Sequence, residues 1–168
     1  LILYNIPGRS VVNIQPETVA RLAKDCPNII GIKEASGSLV QASRIFSLCG
    51  RNFLVLSGED ALNFPLMCLG AQGFITVTAN VTPRDVAELY NHYAAGEIDK
   101  ARDLHYKLLP LNEALFLETN PIPVKAALSM MDKIAPASTR SRPVSGNNCR
   151  LTPSPTRMKE NSPICASD

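Results

Sequence analysis

Lys33 closes the apolar run Ile29-Ile30-Gly31-Ile32, and a lysine held against a buried strand is the residue type suited to attack a carbonyl carbon. Partial removal from water favours the neutral amine, which lowers its pKa and frees the lone pair for imine (Schiff-base) formation. Position alone also fits a strand-end lysine that simply reaches water, so the neighbours of Lys33 have to decide. Tyr4 ends a second apolar run, Leu1-Ile2-Leu3. A phenol there could carry protons to and from a carbinolamine and a leaving hydroxyl, or fill space as an aromatic at a strand end. Arg9 lies in the Gly-containing loop that follows, Asn5-Ile6-Pro7-Gly8-Arg9. Its planar fork matches a carboxylate with two parallel hydrogen bonds, although a solvated loop arginine reads the same way in isolation.

Two further runs end in polar residues. Phe53 to Leu56 leads into Ser57-Gly58-Glu59-Asp60, where Gly58 allows close backbone approach or an ordinary turn. Glu59 and Asp60 read as acids opening the next helix, ahead of any general acid–base role. In Phe74-Ile75-Thr76-Val77-Thr78-Ala79-Asn80, Thr76, Thr78 and Asn80 could donate to a bound carboxylate or pair with their neighbours. His92 and His105 fall in later helical stretches and are assigned to surface or packing.

The elements that must hold these residues alternate in type. Leu1 to Tyr4, Ile29 to Ile32, Phe53 to Leu56 and Phe74 to Val77 read as short strands buried on both faces. Between them lie helical stretches: Pro16 to Lys24, Leu39 to Leu48 after a Ser38 cap, and Ala61 to Leu69 closed by Gly70. Beyond the last strand, Thr82-Pro83-Arg84-Asp85 opens a helix with Thr82 as its cap, and helices follow from Ile98 to about Leu109 and from Ile122 to Met131. Strands joined by single crossover helices must lie parallel, with the site at their carboxyl ends. Two architectures fit: a complete doubly wound sheet of flavodoxin type, or half of a (β/α)₈ barrel. No G-x-G-x-x-G and no Walker-type lysine loop follows any strand.

Composition narrows the class. The 168 residues carry 17 basic and 15 acidic side chains, a formal charge of +2, which argues against nucleic-acid or membrane partners and leaves small anionic substrates open. Five scattered cysteines with no C-x-x-C pair argue against a metal site or a disulfide framework, so a reducing, cytoplasmic setting without metal or cofactor is expected. No run approaches the roughly 18 apolar residues of a membrane span, and the first residues show no basic region followed by an apolar stretch and a small-residue cleavage site. The chain opens directly on a buried-type strand, as if cut at its N-terminus. From about Pro136 the residues turn to Ser, Thr, Pro, Arg and Asn without apolar period. That tail reads as disordered, with a shifted reading frame as its suggested origin.

Together, Tyr4-Asn5-Ile6-Pro7-Gly8-Arg9, Gly31-Ile32-Lys33-Glu34-Ala35, Ser57-Gly58-Glu59-Asp60 and Gly73-Phe74-Ile75-Thr76-Val77-Thr78-Ala79-Asn80 resemble the C-terminal half of the dihydrodipicolinate synthase family, with Asn120-Pro121-Ile122-Pro123-Val124-Lys125 similar to the family's late helix start. The resemblance runs from Leu1 to about Ala135. It implies an α/β fold, strands five to eight of a TIM barrel over residues 1–81, followed by a C-terminal helical segment over residues 82–135 and the low-order tail over 136–168. It implies a lyase that condenses pyruvate with aspartate semialdehyde, giving 4-hydroxy-tetrahydrodipicolinate for lysine biosynthesis. By the same resemblance Lys33 forms the imine, Tyr4 relays protons, Arg9 holds the semialdehyde carboxylate, and the backbone at Gly58 and Ile75 lines the pocket. Arg9 favours this family over the related sialic acid lyases and sugar-acid aldolases, which share the Tyr and Lys motifs. The family is a homo-oligomer, typically a tetramer. With four strands absent, the first and last strands here become unpaired edges, an aggregation hazard, and the chain is expected to be inactive or weak alone. A non-catalytic truncated product is the competing reading.

Overall fold

The computed structural model describes residues 1–135, and their backbone is organised around four parallel strands: β1 (Ile2–Asn5), β2 (Gly31–Glu34), β3 (Leu54–Ser57) and β4 (Gly73–Phe74). They lie side by side in chain order, and each of the three pairings is parallel. The crossovers that parallel pairing demands are α2 (Pro16–Asp25), preceded by the single turn α1 (Pro7–Ser10), then α3 (Leu39–Cys49) and α4 (Asn63–Leu69). Because the strand order never reverses, the sheet winds in one direction, as in an arc of a (β/α) barrel; a doubly wound sheet would change direction at a switch point. That removes the flavodoxin-like alternative. Three helices follow β4, namely α5 (Pro83–Ala94), α6 (Ile98–Ala114) and α7 (Ile122–Met130).

Of the three apolar clusters among the described residues, two bear on the strands and the late helices. Val19 of α2, Ile45 of α3 and the strand residues Ile32 and Val55 join Phe53 in a fully dry cluster behind the sheet, with Leu3 and Ile29 at its border. Met67 of α4, Val86 and Leu89 of α5, and Leu108 of α6 form a second cluster that Phe74 and Tyr93 flank. Each buried side chain of this size contributes about 1.5–3 kcal/mol relative to exposure, so the helices beyond β4 are tied firmly to the sheet's last crossover. Local signals act as the sequence implies at two ends: Ser38 Oγ accepts from Gln41 N at 3.1 Å to cap α3, and Gly70 closes α4 at φ 116°.

Elsewhere the boundaries differ from the sequence reading, for identifiable reasons. β2 begins and ends two residues later, so Lys33 lies inside the strand and not just beyond it. The last strand, expected over Phe74 to Val77, pairs only at Gly73–Phe74. The Asp60 carboxylate takes the N–H groups of Val77 (3.1 Å) and Thr78 (2.7 Å), which bends the chain out of the ladder into a 3₁₀ turn at Thr78–Asn80. The helix expected from Ala61 is a 3₁₀ turn over Asp60–Leu62 followed by α4. Thr82 does not cap α5 with its side chain; its hydroxyl donates to Asp85 Oδ2 at 3.0 Å. α6 continues through Pro110 to Ala114, because Asn112 on the extended face is buried and hydrogen-bonded. Within the described residues β1 and β4 each have one neighbour, leaving Ile2 and Tyr4 on the open edge exposed. The expected disordered tail, and the suggestion of a shifted frame, lie outside the described residues.

Among the described residues no helix is long and apolar enough to cross a membrane, and no three His, Cys, Asp or Glu side chains gather as metal ligands would.

Candidate active site

Parallel register puts the chemistry of β1 and β2 opposite one another. Tyr4 is the partner of Lys33, and Asn5 the partner of Glu34. Side chains alternate across a sheet, so the first pair shares one face and the second pair the other. On the first face Lys33 Nζ sits 4.2 Å from the centroid of the Tyr4 ring, within the range of a cation–π contact. Lys33 is half-buried, while Tyr4 is 50% exposed on the sheet edge. The amine meets the ring face, and no hydrogen bond joins it to the Tyr4 hydroxyl.

Gly58, one residue past β3, explains where the rest of the lysine goes. A Cβ at Gly58 would lie 2.8 Å from Lys33 Cε, 3.0 Å from Lys33 Cγ and 2.8 Å from the Ala35 Cβ. The lysine stem therefore rests on the bare backbone of Gly58. Gly58 N–H donates to the Glu34 carbonyl at 2.8 Å and Ile75 N–H to the Ser57 carbonyl at 2.9 Å. Both N–H groups are thus committed to the ladder, and any backbone contact with a ligand falls to the carbonyls.

Arg9 occupies α1, where a loop was expected, and its Nη2 donates to the Asn120 carbonyl at 2.8 Å, just before α7. This bond fastens the α1 turn to the start of the last helix, across the mouth of the sheet. The turn ends at Val11, 92% exposed at φ 61°, a left-handed conformation that β-branched residues rarely adopt. Tyr4, Arg9, Lys33, Gly58 and Ile75 all line one cavity of about 1020 Å³ at the carboxyl ends of the strands. Residues 116–121 and α7 provide part of its rim.

Three groups near the cavity were not given a site role by sequence reasoning. Glu59 lines it, and burial, reinforced by the negative charge of Asp60, pushes its carboxyl above the ordinary value. Asp60, read as a helix-opening acid ahead of any general acid–base role, is buried and accepts from Thr76 Oγ1 at 2.7 Å as well as from Val77 and Thr78 N–H. Thr78 Oγ1 donates to Asn112 Oδ1 at 2.7 Å, and Asn80 Nδ2 to the Val77 carbonyl at 2.8 Å, so Thr76, Thr78 and Asn80 are engaged with neighbours. Glu34 is 2% exposed behind Lys33 and is bound by Asn5, Ser36 and Gln41. Strand alternation carried the signal for Glu34, since the residue after a pocket-facing lysine must face the helices. Away from the site, His92 contacts Glu97, and His105 packs on Phe64 with burial pushing its imidazole below the usual value.

The family described as Dihydrodipicolinate synthetase matches residues 1–148, beyond the point where the resemblance was expected to stop. The 4-hydroxy-tetrahydrodipicolinate synthase of Thermodesulfovibrio yellowstonii is 60% identical over 134 residues, covering 80% of this chain and 46% of that protein. Its counterpart in Syntrophobacter fumaroxidans is 56% identical, with the same coverage. The crystal structure of dihydrodipicolinate synthase from Thermotoga maritima superposes with a TM-score of 0.79 at 46% identity, over 84% of this chain and 48% of that one. The chain therefore spans about half the length of the relatives it matches. Over that half, with the parallel arc and its strand-end cavity in place, the chain belongs to the dihydrodipicolinate synthetase family.

Proposed function

We propose that this chain carries the imine-forming half of a lyase that condenses pyruvate with aspartate semialdehyde to 4-hydroxy-tetrahydrodipicolinate. The observation that carries the reading is the Tyr4–Lys33 register pair, with the amine over the ring, in a cavity shared with Arg9, Gly58 and Ile75. The Lys33 nitrogen attacks the keto carbon of pyruvate through its lone pair, forming a C–N bond and a carbinolamine. The former carbonyl oxygen then leaves as water, one proton drawn from the amine and one from an acid, and a protonated imine remains. Tyr4, whose ring the amine overlies, is the group that holds and returns those protons. Loss of a proton from the pyruvate methyl gives an enamine, whose carbon attacks the semialdehyde. Arg9, with one nitrogen fixed on Asn120, keeps its other donors for the carboxylate of that second substrate.

The four strands correspond, in this proposal, to the last four of an eight-stranded barrel, with residues 1–81 as barrel and 82–135 as the helical segment. In support, the described chain runs from β4 through α5, α6 and α7 without another strand, whereas a first half would rejoin the sheet after α5. The full condensation, and a homo-oligomeric assembly, belong to the intact barrel; imine formation is the step assigned to this chain. Incubation with pyruvate followed by borohydride reduction and mass measurement tests it. A stable adduct that disappears in Lys33→Ala is expected, and a folded chain that forms no adduct would remove the reading.

A further inference from the structure

Behind the sheet, one residue past the Tyr4–Lys33 pair, four uncharged or acidic side chains form a closed cage. Asn5 Nδ2 donates to Glu34 Oε2 at 3.0 Å and to Asn13 Oδ1 at 2.9 Å. Gln41 Nε2 donates to Glu34 Oε2 at 3.2 Å and to Asn13 Oδ1 at 3.0 Å, while Asn13 Nδ2 returns a bond to Gln41 Oε1 at 2.8 Å. Ser36 N–H donates to Glu34 Oε1 at 2.7 Å, and Ile14 N–H to Asn5 Oδ1 at 3.1 Å. No lysine or arginine forms an ion pair with Glu34 among the described residues, so a carboxylate with 2% exposure is held by N–H donors alone. Leaving such a group in an apolar layer is expensive unless every arm is made, and this one is made.

The arms reach the segments that supply Tyr4, Lys33 and Arg9. Asn5 belongs to the strand of Tyr4, and Glu34 adjoins Lys33. Asn13 and Ile14 end the segment that carries Arg9, and Gln41 lies in the first turn of α3. We infer that Glu34 is a positioning residue: through the Asn5–Asn13–Gln41 cage it locks the ends of β1 and β2 and the Arg9 segment, and so fixes the Lys33 amine against Tyr4. This inference rests on the proposed imine chemistry for its purpose, but its geometry can be tested apart from it.

In Glu34→Gln the new amide keeps the shape of the carboxylate yet turns one acceptor into a donor facing the donors of Asn5 or Gln41, which breaks one arm of the cage. Competitive acetylation of the whole chain with acetic anhydride across pH, read by mass spectrometry, reports Lys33 against Lys24 and Lys100 as internal references. In folded Glu34→Gln, checked by circular dichroism, the Lys33 profile should move while the reference lysines stay, and the pyruvate–borohydride adduct should form at least tenfold more slowly. The exchanged pair Asn5→Asp with Glu34→Gln restores a carboxylate to the cage from the opposite strand and should recover most of both signals. If Glu34→Gln does not fold, Gln41→Met removes one outer donor and should give the same shift in smaller measure. Folded variants whose Lys33 profile stays within twofold of the parent chain would overturn the inference. If the parent chain forms no pyruvate adduct, the proposed function falls, and the acetylation profiles still decide the role of Glu34.

Discussion

Gly58→Ala is the substitution on which the geometry speaks most directly. The added methyl would sit 2.8 Å from both Lys33 Cε and Ala35 Cβ, where carbon atoms normally rest about 3.5–4.0 Å apart. Gly58 is not among the glycines at positive φ, so the penalty is steric and not conformational. The two contacts respond differently. Lys33 Cε can swing aside at little energetic cost, which moves the amine off Tyr4. Ala35 Cβ is fixed to the backbone, so relieving it requires β2 and β3 to separate. Overpacking of this kind costs roughly 1–3 kcal/mol, and each 1.4 kcal/mol is about tenfold in a folding constant or a rate. Urea unfolding should therefore lose about 1–2 kcal/mol, and the pyruvate–borohydride adduct should form at least tenfold more slowly in the folded fraction. Adding Lys33→Ala removes the stem that the methyl strikes. The double variant should be destabilised less than the sum of the two single changes, by at least about 0.5 kcal/mol. Gly73→Ala is the control, since its methyl would find nothing closer than 3.8 Å. Parental stability and parental adduct rate in Gly58→Ala would refute the view that Lys33 is seated on this glycine.

Other outcomes follow from neighbouring contacts. Gly31→Ala places a methyl 2.6 Å from the Leu54 carbonyl oxygen and 2.7 Å from Leu54 Cβ, between two central strands. With no flexible atom to yield, a loss of about 3 kcal/mol is expected by urea titration. Asp60→Asn turns an acceptor of three bonds toward N–H groups it can no longer satisfy, for a loss of about 2–3 kcal/mol, and amide exchange at Val77 and Thr78 should accelerate. Val11→Asn relieves a left-handed valine that buries almost nothing and should raise stability by about 0.5–1 kcal/mol in the same titration. Glu59 supplies the pH test. Its folded-state pKa lies above the unfolded value, because burial and the Asp60 charge disfavour ionisation. Its favourable contribution is complete below the unfolded pKa and is lost as pH rises through the folded one. Glu59→Gln should therefore gain stability relative to the parent chain on moving from acid to neutral pH; equal differences at both would count against the assignment.

The parts of the fold legible in the sequence are those governed by local rules. The apolar runs of β1 and β3, the Ser38 cap and the Gly70 stop depend on a few adjacent residues, and they lie where periodicity and capping place them. What escaped was set by contacts distant along the chain. Asp60 shortens β4 by capturing N–H groups 17 and 18 residues away. Arg9 is fixed by a carbonyl 111 residues away, and no window around Arg9 contains that partner. The resemblance named the five cavity residues, but composition and spacing could not supply the Asn5–Asn13–Glu34–Gln41 cage. Its members are polar residues in ordinary contexts until the sheet register sets Asn5 beside Glu34.

That register also shows how so short an arc can hold the proposed site in place. At the end of each of the first two strands, consecutive residues divide the work across the sheet. Tyr4 and Lys33 face the cavity, while Asn5 and Glu34 face the helices and are tied to them. Just past the third strand lie Gly58, whose missing side chain makes room for the lysine stem, and Asp60, which restrains the fourth strand's loop. A side chain meant to react cannot also be locked by its own hydrogen bonds without losing access to its substrate. Locking the next residue along a strand constrains the backbone beneath it and leaves the reacting atoms free. The strand alternation of period two is thus what allows a half-exposed lysine to be both available and placed.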